Sequence, residues 1–404
     1  MPLNGVKVLD LSQIFAGPAT GLHLADLGAL VVKLEPPWGE IVREWNTDGD
    51  PQHRATAYLT VNRGKRNMAV NTASADGLKV LYKLVTWADV VISNTRVEAA
   101  RRGHMDYQTL RRHNPRLIYG QITGYGAVGQ ESNRPAFDLL VQARSGVMSF
   151  RSTAEGRPLS APFPMADLSA AMLLAMGICA ALYAREVTGE GSLIETSLLD
   201  AALAMQRTEI VRTSGAKSVP RRSYAFYNAC KCADGRYVIF ATQQDRRWPQ
   251  FAKAMELEHL AEDEAFATFS ARVDNGNELY AILEAAFLTR TAAEWIERFR
   301  AADVPAELIY TRDEILTDDQ ARVNGMVISC EDGHFGTVDL VGPSFRVDNQ
   351  VRTSSPLPGG VGTDTAEVLG QCGFSKDEIT DLERRGVVYL GSDLAPRGSG
   401  GLSR

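Results

Sequence analysis

The chain has 404 residues, of which 45% are hydrophobic and 23% charged, with a formal net charge of −6. That length exceeds what one core usually supports, so two domains are expected in a globular protein of ordinary enzyme composition. The acidic balance, with no basic stripe interleaved with aromatics, argues against nucleic acid as a partner.

The N-terminus, MPLNGVKVLDLS, has neither a basic region nor an apolar stretch before a small-residue cleavage site, and the apolar run around Met172 to Tyr183 reads as too short to span a bilayer. A cytoplasmic protein with no membrane partner is the expectation. VKVLDLS (6–12) predicts a strand, PATGLHLADLGA (18–29) a helix and LVVKLE (30–35) a β-branched strand, which together make a βαβ unit. NRGKRN (62–67) reads as a charged loop, SADGLKVLYKLVTWA (74–88) as a helix, DVVISN (89–94) as a strand, DYQTLRRHN (106–114) as a helix and RLIYGQITGYG (116–126) as a strand ending in a turn. Strands alternating with helices predict a parallel, doubly wound sheet whose ligand crevice lies at the carboxyl ends of the strands, near Ser12, Glu35, Asn94 and Thr123.

Next comes PFPMADLSAAMLLAMGICAALYARE (162–186), with one carboxylate, Asp167, at the mouth of a long apolar helix over Leu168 to Glu186. Asp is a favoured N-cap, accepting the free N–H groups of the first turn. A second helical run, SLLDAALAMQRTEIV (197–211), leads to RTSGAKSVPRRS (212–223), read as a linker. The division is therefore 1–212 for the first part of a large domain, 224–325 for a smaller α+β domain with a hairpin at Asp234-Gly235, 326–390 for a return to the large domain, and 391–404 for a disordered tail.

Five scattered cysteines (Cys179, Cys230, Cys232, Cys330 and Cys372) fit reduced thiols. Neither they nor the six histidines have metal-ligand spacing, so no metal is expected. Glu35 ends the second strand where an acid would hold a ribose, which keeps a NAD-dependent oxidoreductase open as an alternative. Against it, Gly17, Gly21 and Gly28 do not make G-x-G-x-x-G. There is no P-loop for ATP, and ARSGVM around Ser145 is not a nucleophile elbow.

Seven motifs in order, LNGVKVLDLSQIFAGPATGLHLADLGALVVKLEPP, NRGKRNMAVN, ADVVISNTR with AARRGHMDYQTL, NPRLIYGQITGYG, PAFDLLVQARSGVMS and ADLSAAM, followed by the C-terminal DDQARVNGMV and GFSKDEITDLERRGVV, together resemble the family III CoA-transferases. This superfamily also holds the α-methylacyl-CoA racemases. The resemblance implies a Rossmann-like large domain with a smaller α+β domain, in an interlocked homodimer. It further implies acyl-CoA and a small carboxylic acid as substrates, with no permanently bound cofactor beyond these coenzyme A thioesters. On it Asp167 becomes the nucleophile, staying ionised at its helix N-terminus while backbone N–H groups beside it stabilise the oxyanion. The acidic neighbour is Asp138, as an orienting group or a structural acid. Ile14, Phe15, Ala16, Lys65, Arg66, Asn94, Thr95 and Arg102 become the residues for CoA. Where racemases carry a proton-transferring His before that acid, this chain has Phe137, which weakens the racemase alternative. Pro36 and Pro37 stand where relatives often carry a cation. Arg144, Arg151, Arg221, Arg222, Arg246 and Arg247 are candidates for a second substrate carboxylate. A catalytically silent CoA-binding protein is the remaining alternative.

Overall fold

The structure, a computed structural model, describes residues 1–45, 49–153, 155–210, 214, 229–349 and 355–391. The expected linker 212–223, Arg221 and Arg222 included and Ser214 apart, and the tail 392–404 lie outside the described residues. The chain divides into two compact units, one made of Met1–Val211 with Asp319–Arg404, the other of Arg212–Asp318.

In the first unit the order is β1 (Lys7–Asp10), α1 (Ala16–Asp26), β2 (Leu30–Glu35), α2 (Thr56–Asn62), β3 (Arg66–Val70), α3 (Ala75–Trp87), β4 (Val90–Ser93), α4 (Val97–Arg102), α5 (Tyr107–Leu110), β5 (Ile118–Thr123), α6 (Asp138–Ser145), α7 (Met165–Thr188), β6 (Leu193–Ser197) and α8 (Leu198–Met205). The second unit holds the short strands β7 (Cys230–Lys231), β8 (Tyr237–Phe240) and β9 (Ala306–Leu308) in one antiparallel sheet. Its helices are α9 (Trp248–Ala254), α10 (His259–Glu262), α11 (Phe269–Asp274), α12 (Gly276–Phe287), α13 (Ala292–Ala301) and α14 (Arg312–Thr317). They close around an aromatic core in which Phe251, Phe287, Trp295 and Phe299 are fully buried. Back in the first unit come α15 (Asp319–Val323), the hairpin β10 (Val327–Asp332) with β11 (Gly336–Val341), α16 (Thr365–Gln371), α17 (Lys376–Arg384) and β12 (Val388–Tyr389).

The main sheet runs β12-β3-β2-β1-β4-β5-β6. All neighbours pair in parallel except β12, which adds antiparallel to the β3 edge. The direction of winding reverses between β1 and β4, and at such a switch point the loops leaving the two strands part and open a crevice. The central strands are buried on both faces, Val8, Val31 and Val90 lying in one core and Leu9, Val32 and Val91 in the other. This explains their continuous β-branched runs.

Three elements differ from the expectation. The loop read at NRGKR is the entry to β3, whose hydrophobic pattern is masked by the cations at its start. The predicted helix 106–114 is a single helical turn, Tyr107–Leu110, capped by Asp106. The apolar run read as too short for a bilayer belongs to a 24-residue helix, α7, long and apolar enough to cross a membrane by length and composition. Half of its most apolar window is buried inside the protein, where Ala170, Leu174, Ile178 and Ala181 pack against β5, β6 and α1.

Candidate active site

The crevice at the switch point is lined from four directions. The exit of β1 brings Ile14, Phe15 and Ala16, the end of β4 brings Asn94 and Arg96, the end of β5 brings Thr123 and Gly124, and the first turn of α7 brings Asp167. The resulting cavity is about 100 Å³. A second cavity of about 330 Å³, walled by Trp45, Leu139, Pro162 and Phe163, shares Ile14, Phe15, Phe137 and Asp167 with the first. Asp167 thus stands at the junction of a cavity of mixed lining and a mainly apolar one.

Asp167 is not the N-cap of α7. That position belongs to Pro164, whose side chain caps nothing, and Asp167 sits in the first turn. The capping acid comes from another helix. Oδ1 of Asp138, the first residue of α6, accepts the N–H of Ala166 at 2.6 Å and of Asp167 at 3.1 Å. Its other oxygen accepts from Gln142 Nε2, and Gln142 Oε1 in turn accepts from the Ala161 N–H. With Met165 donating to Phe163 and Leu168 to Pro164, the opening N–H groups of α7 are all consumed. They are therefore not the oxyanion donors expected from the sequence.

The Asp167 carboxylate itself accepts no hydrogen bond from any described residue, and burial, reinforced by the negative charge of Asp138, pushes its pKa up to about 7. This corrects the expectation that the helix N-terminus keeps it fully ionised. Asp138 has intercepted the N–H groups that would have done so, and burial then prevails.

Of the residues singled out for CoA, the structure brings Ile14, Phe15, Ala16 and Asn94 to the Asp167 cavity, while Lys65, Arg66, Thr95 and Arg102 do not line it. Lys65 turns inward. Its ammonium donates to Asp10 Oδ2 at 2.8 Å, the Pro18 carbonyl at 2.7 Å and Asn62 Oδ1 at 2.8 Å, which uses all three of its donors. Arg66 is half exposed and pairs with Asp364 and Glu367. Thr95 donates its N–H to Ser93 Oγ and accepts from Gln121 Nε2, and Arg102 is exposed at the end of α4. Asn94 clamps the main chain, accepting from the Gln13 N–H at 2.9 Å and donating to the Gln13 carbonyl at 2.7 Å.

Glu35, the acid that kept NAD open, is buried against Arg43, whose Nε lies 2.8 Å from one oxygen and 3.2 Å from the other. It is committed to structure, holding a guanidinium that also donates to Tyr58 and to the Gly359 carbonyl. Among the arginines considered for a second carboxylate, Arg144 shares Glu131 with Arg134 and faces the Tyr125 ring. Arg151 is exposed, while Arg246 donates to Gln244 and Arg247 to the Asp303 carbonyl. Arg96, Arg134 and Trp45 were not singled out in the sequence. Only their place on loops after strands, where a doubly wound sheet puts its ligands, hinted at them.

One glycine is demanded by this geometry. A Cβ on Gly17, in the first turn of α1, would lie 2.1 Å from Ser12 Cβ and 2.3 Å from its hydroxyl. Gly17→Ala should therefore push the β1 exit loop off the helix, costing about 1–3 kcal/mol by overpacking. A denaturant midpoint within error of the parent would contradict this contact.

The model of CoA-transferase family III matches residues 3–365. The chain is 29% identical to (R)-2-hydroxy-4-methylpentanoate CoA-transferase of Clostridioides difficile, over 96% of this chain and 100% of that enzyme. It is 30% identical to the succinyl-CoA:glutarate CoA-transferase of Homo sapiens, over 96% and 90% of the respective lengths. The crystal structure of Rv3272 from M. tuberculosis superposes with a TM-score of 0.80 at 30% identity, covering 91% of this chain and 99% of that one. Matched by the family model over residues 3–365 and by these relatives over nearly its whole length, the chain is an enzyme that belongs to CoA-transferase family III.

Proposed function

We propose that the protein moves CoA from an acyl-CoA donor to a carboxylic acid acceptor with Asp167 as the covalent nucleophile. The observation that carries this reading is the Asp167 carboxylate at the junction of the two cavities, which accepts no hydrogen bond among the described residues. A carboxylate oxygen of Asp167 attacks the thioester carbonyl, the C–S bond breaks, and CoA leaves as the thiolate, giving an acyl-aspartyl anhydride. The thiolate then attacks the aspartyl carbonyl, expelling the donor acid as its carboxylate and leaving an aspartyl-CoA thioester. The acceptor carboxylate attacks that thioester, and the same two steps run in reverse. Each intermediate conserves the energy of the thioester, so neither ATP nor a resident cofactor takes part.

Burial suits a nucleophile of this kind. A carboxylate stripped of hydrogen-bond donors is less stabilised, and therefore more reactive, once deprotonated. With the opening N–H groups of α7 consumed by Asp138, Phe163 and Pro164, the opening turn of α1 supplies the alternative oxyanion donors, since Phe15 and Ala16 line the cavity and the first N–H groups of a helix have no intrahelical partner. Racemisation is disfavoured because Phe137, which lines both cavities, has no proton to exchange. An interlocked homodimer belongs to the same proposal. It is supported by the exposed apolar stripe of α7, where Met172, Met176, Tyr183 and Val187 are 50–77% exposed and fall on one face.

The test is mass spectrometry of the peptide bearing Asp167 after incubation with acetyl-, propionyl- and succinyl-CoA. A CoA adduct on Asp167 supports the scheme, and turnover without any adduct at this residue refutes it. The pH dependence adds a second check. With Asp167 pushed up to about 7, kcat/KM should rise with pH through that region. Asp138→Asn keeps an oxygen for the α7 N–H groups but removes the charge, so this acid limb should move to lower pH. The movement should be less than about one pH unit, because burial, the larger cause, persists. A movement to higher pH would show that the charge of Asp138 is not what Asp167 feels.

A further inference from the structure

The loop that leaves β1 for the Asp167 cavity is tied down at every turn. Ser12 donates its N–H and its hydroxyl to Asp10 Oδ1, and its carbonyl accepts from Lys33 Nζ. Gln13 is clamped by Asn94 at both its N–H and its carbonyl. The Ile14 N–H donates to Glu40 Oε2 at 2.9 Å. Ile14 has φ = 70°, the left-handed region, and is the one β-branched residue among the described non-glycine residues found there. A branched side chain holds such a conformation only where its surroundings impose it. Glu40 is 3% exposed and does not line either cavity, while its second oxygen lies 3.4 Å from the buried ammonium of Lys33.

We infer that Glu40 and Lys33 are positioning residues, a buried acid–base pair that holds Ser12–Ile14 in a strained conformation and thereby sets Phe15 and the first turn of α1 against Asp167. A pair that served only the stability of the fold would leave the loop free to relax. Here each partner spends a hydrogen bond on loop backbone, one on the Ser12 carbonyl and the other on the Ile14 N–H. The inference rests on the transferase reading for its kinetic consequence, but the loop's conformation can be measured independently.

The decisive variant is the double substitution Lys33→Met/Glu40→Leu, compared with Glu40→Gln. Replacing a buried ion pair by apolar residues of similar size usually preserves the fold, so the double variant should melt near the parent temperature while releasing the loop. Its kcat should fall roughly 10- to 100-fold, as expected when a catalytic surface is misplaced by about an ångström, with KM for acyl-CoA within about threefold. Hydrogen exchange of the peptide covering residues 12–17 should quicken by about tenfold or more through lost protection. Glu40→Gln, whose amide oxygen still accepts from Ile14, should keep at least about a third of kcat by retaining that hydrogen bond. Ile14→Gly placed in the double variant should recover part of kcat, because glycine holds a positive φ without penalty. A folded double variant with parental kcat, or with unaltered exchange at 12–17, overturns the inference. So does Glu40→Gln falling as far as the double variant. If the parent itself shows no CoA exchange, the functional reading fails, and hydrogen exchange alone decides whether Glu40 and Lys33 hold the loop.

Discussion

Asp167→Asn is expected to lose CoA exchange by a factor on the order of 10⁴ or more, since removal of a covalent nucleophile leaves only binding and oxyanion stabilisation. The same protein should be more stable than the parent in mild alkali. Burial first, and Asp138 second, raise the Asp167 pKa to about 7. The folded chain therefore holds a proton there that the unfolded chain releases in the ordinary carboxylate range. Between that range and about pH 7 the native state binds more protons, so stability falls as pH rises, and above about 7 the full cost of a buried carboxylate is present. An Asn bears no such charge. Its advantage should be absent near pH 4 and reach ~1–2 kcal/mol at pH 8 for a carboxylate that keeps some contact with water, seen as a melting temperature higher by about 2 °C or more. Unchanged turnover would end the nucleophile assignment. A melting difference equally large at pH 4 and pH 8 would show that the effect comes from packing and not from ionisation.

How much of this was legible in the sequence depends on how local the signal is. The strands β1, β2, β4 and β5 are short β-branched runs between helices, and their spacing implied the parallel sheet directly. β3 and β6 were not legible. One begins with cations that look like a loop, and the other, Leu193–Ser197, is an exposed edge strand with little apolar content. Asp167 could be picked out because a lone acid beside a long apolar run is conspicuous, and family resemblance gave it chemistry. Its true environment was hidden. That Asp138, 29 residues earlier, takes the α7 N–H groups is a contact between helices, and no spacing rule contains it.

The same limit governs the charged residues. From sequence, Glu35 looks like a ribose ligand and Lys65 like a CoA ligand, and nothing marks Lys33, Glu40 or Arg43, yet all five are buried and ion-paired. Burial of a charge is invisible to composition because it depends on a partner brought from another element. The consequence is functional as well as structural. Of the cations that invited a CoA-phosphate reading, Lys65 is committed to Asp10, Pro18 and Asn62 and Arg66 to Asp364 and Glu367, while the exposed Arg96 and Arg134 line the first cavity.

Lys65→Met is accordingly expected to act on stability and not on CoA affinity. Burial alone would raise the pKa of Asp10, but Lys65 and Lys33 beside it, with the hydrogen bonds from Lys65 and Ser12, hold it below the usual carboxylate range. Removing Lys65 strands that carboxylate in the core at a cost of about 3–5 kcal/mol, a fall in melting temperature on the order of 5–10 °C. The room around the pair is small, since a Cβ on Gly21 in α1 would lie 3.0 Å from Asp10 Oδ2 and 3.1 Å from the Lys65 ammonium. Stability from Asp10 is present above its unfolded pKa and lost as pH falls through its depressed folded value. With Lys65 gone the folded value climbs, and acid unfolding should begin at higher pH than in the parent. The double variant Asp10→Asn/Lys65→Met removes both charges and should recover at least half of the lost stability, a coupling that a double-mutant cycle reads directly. Because every donor of Lys65 is already committed, KM for acyl-CoA in the folded single variant should stay within about twofold of the parent. A rise of tenfold or more in KM at unchanged melting temperature would instead mean that Lys65 swings out to the CoA phosphates when substrate binds, and that the buried pair is one of two states of this side chain.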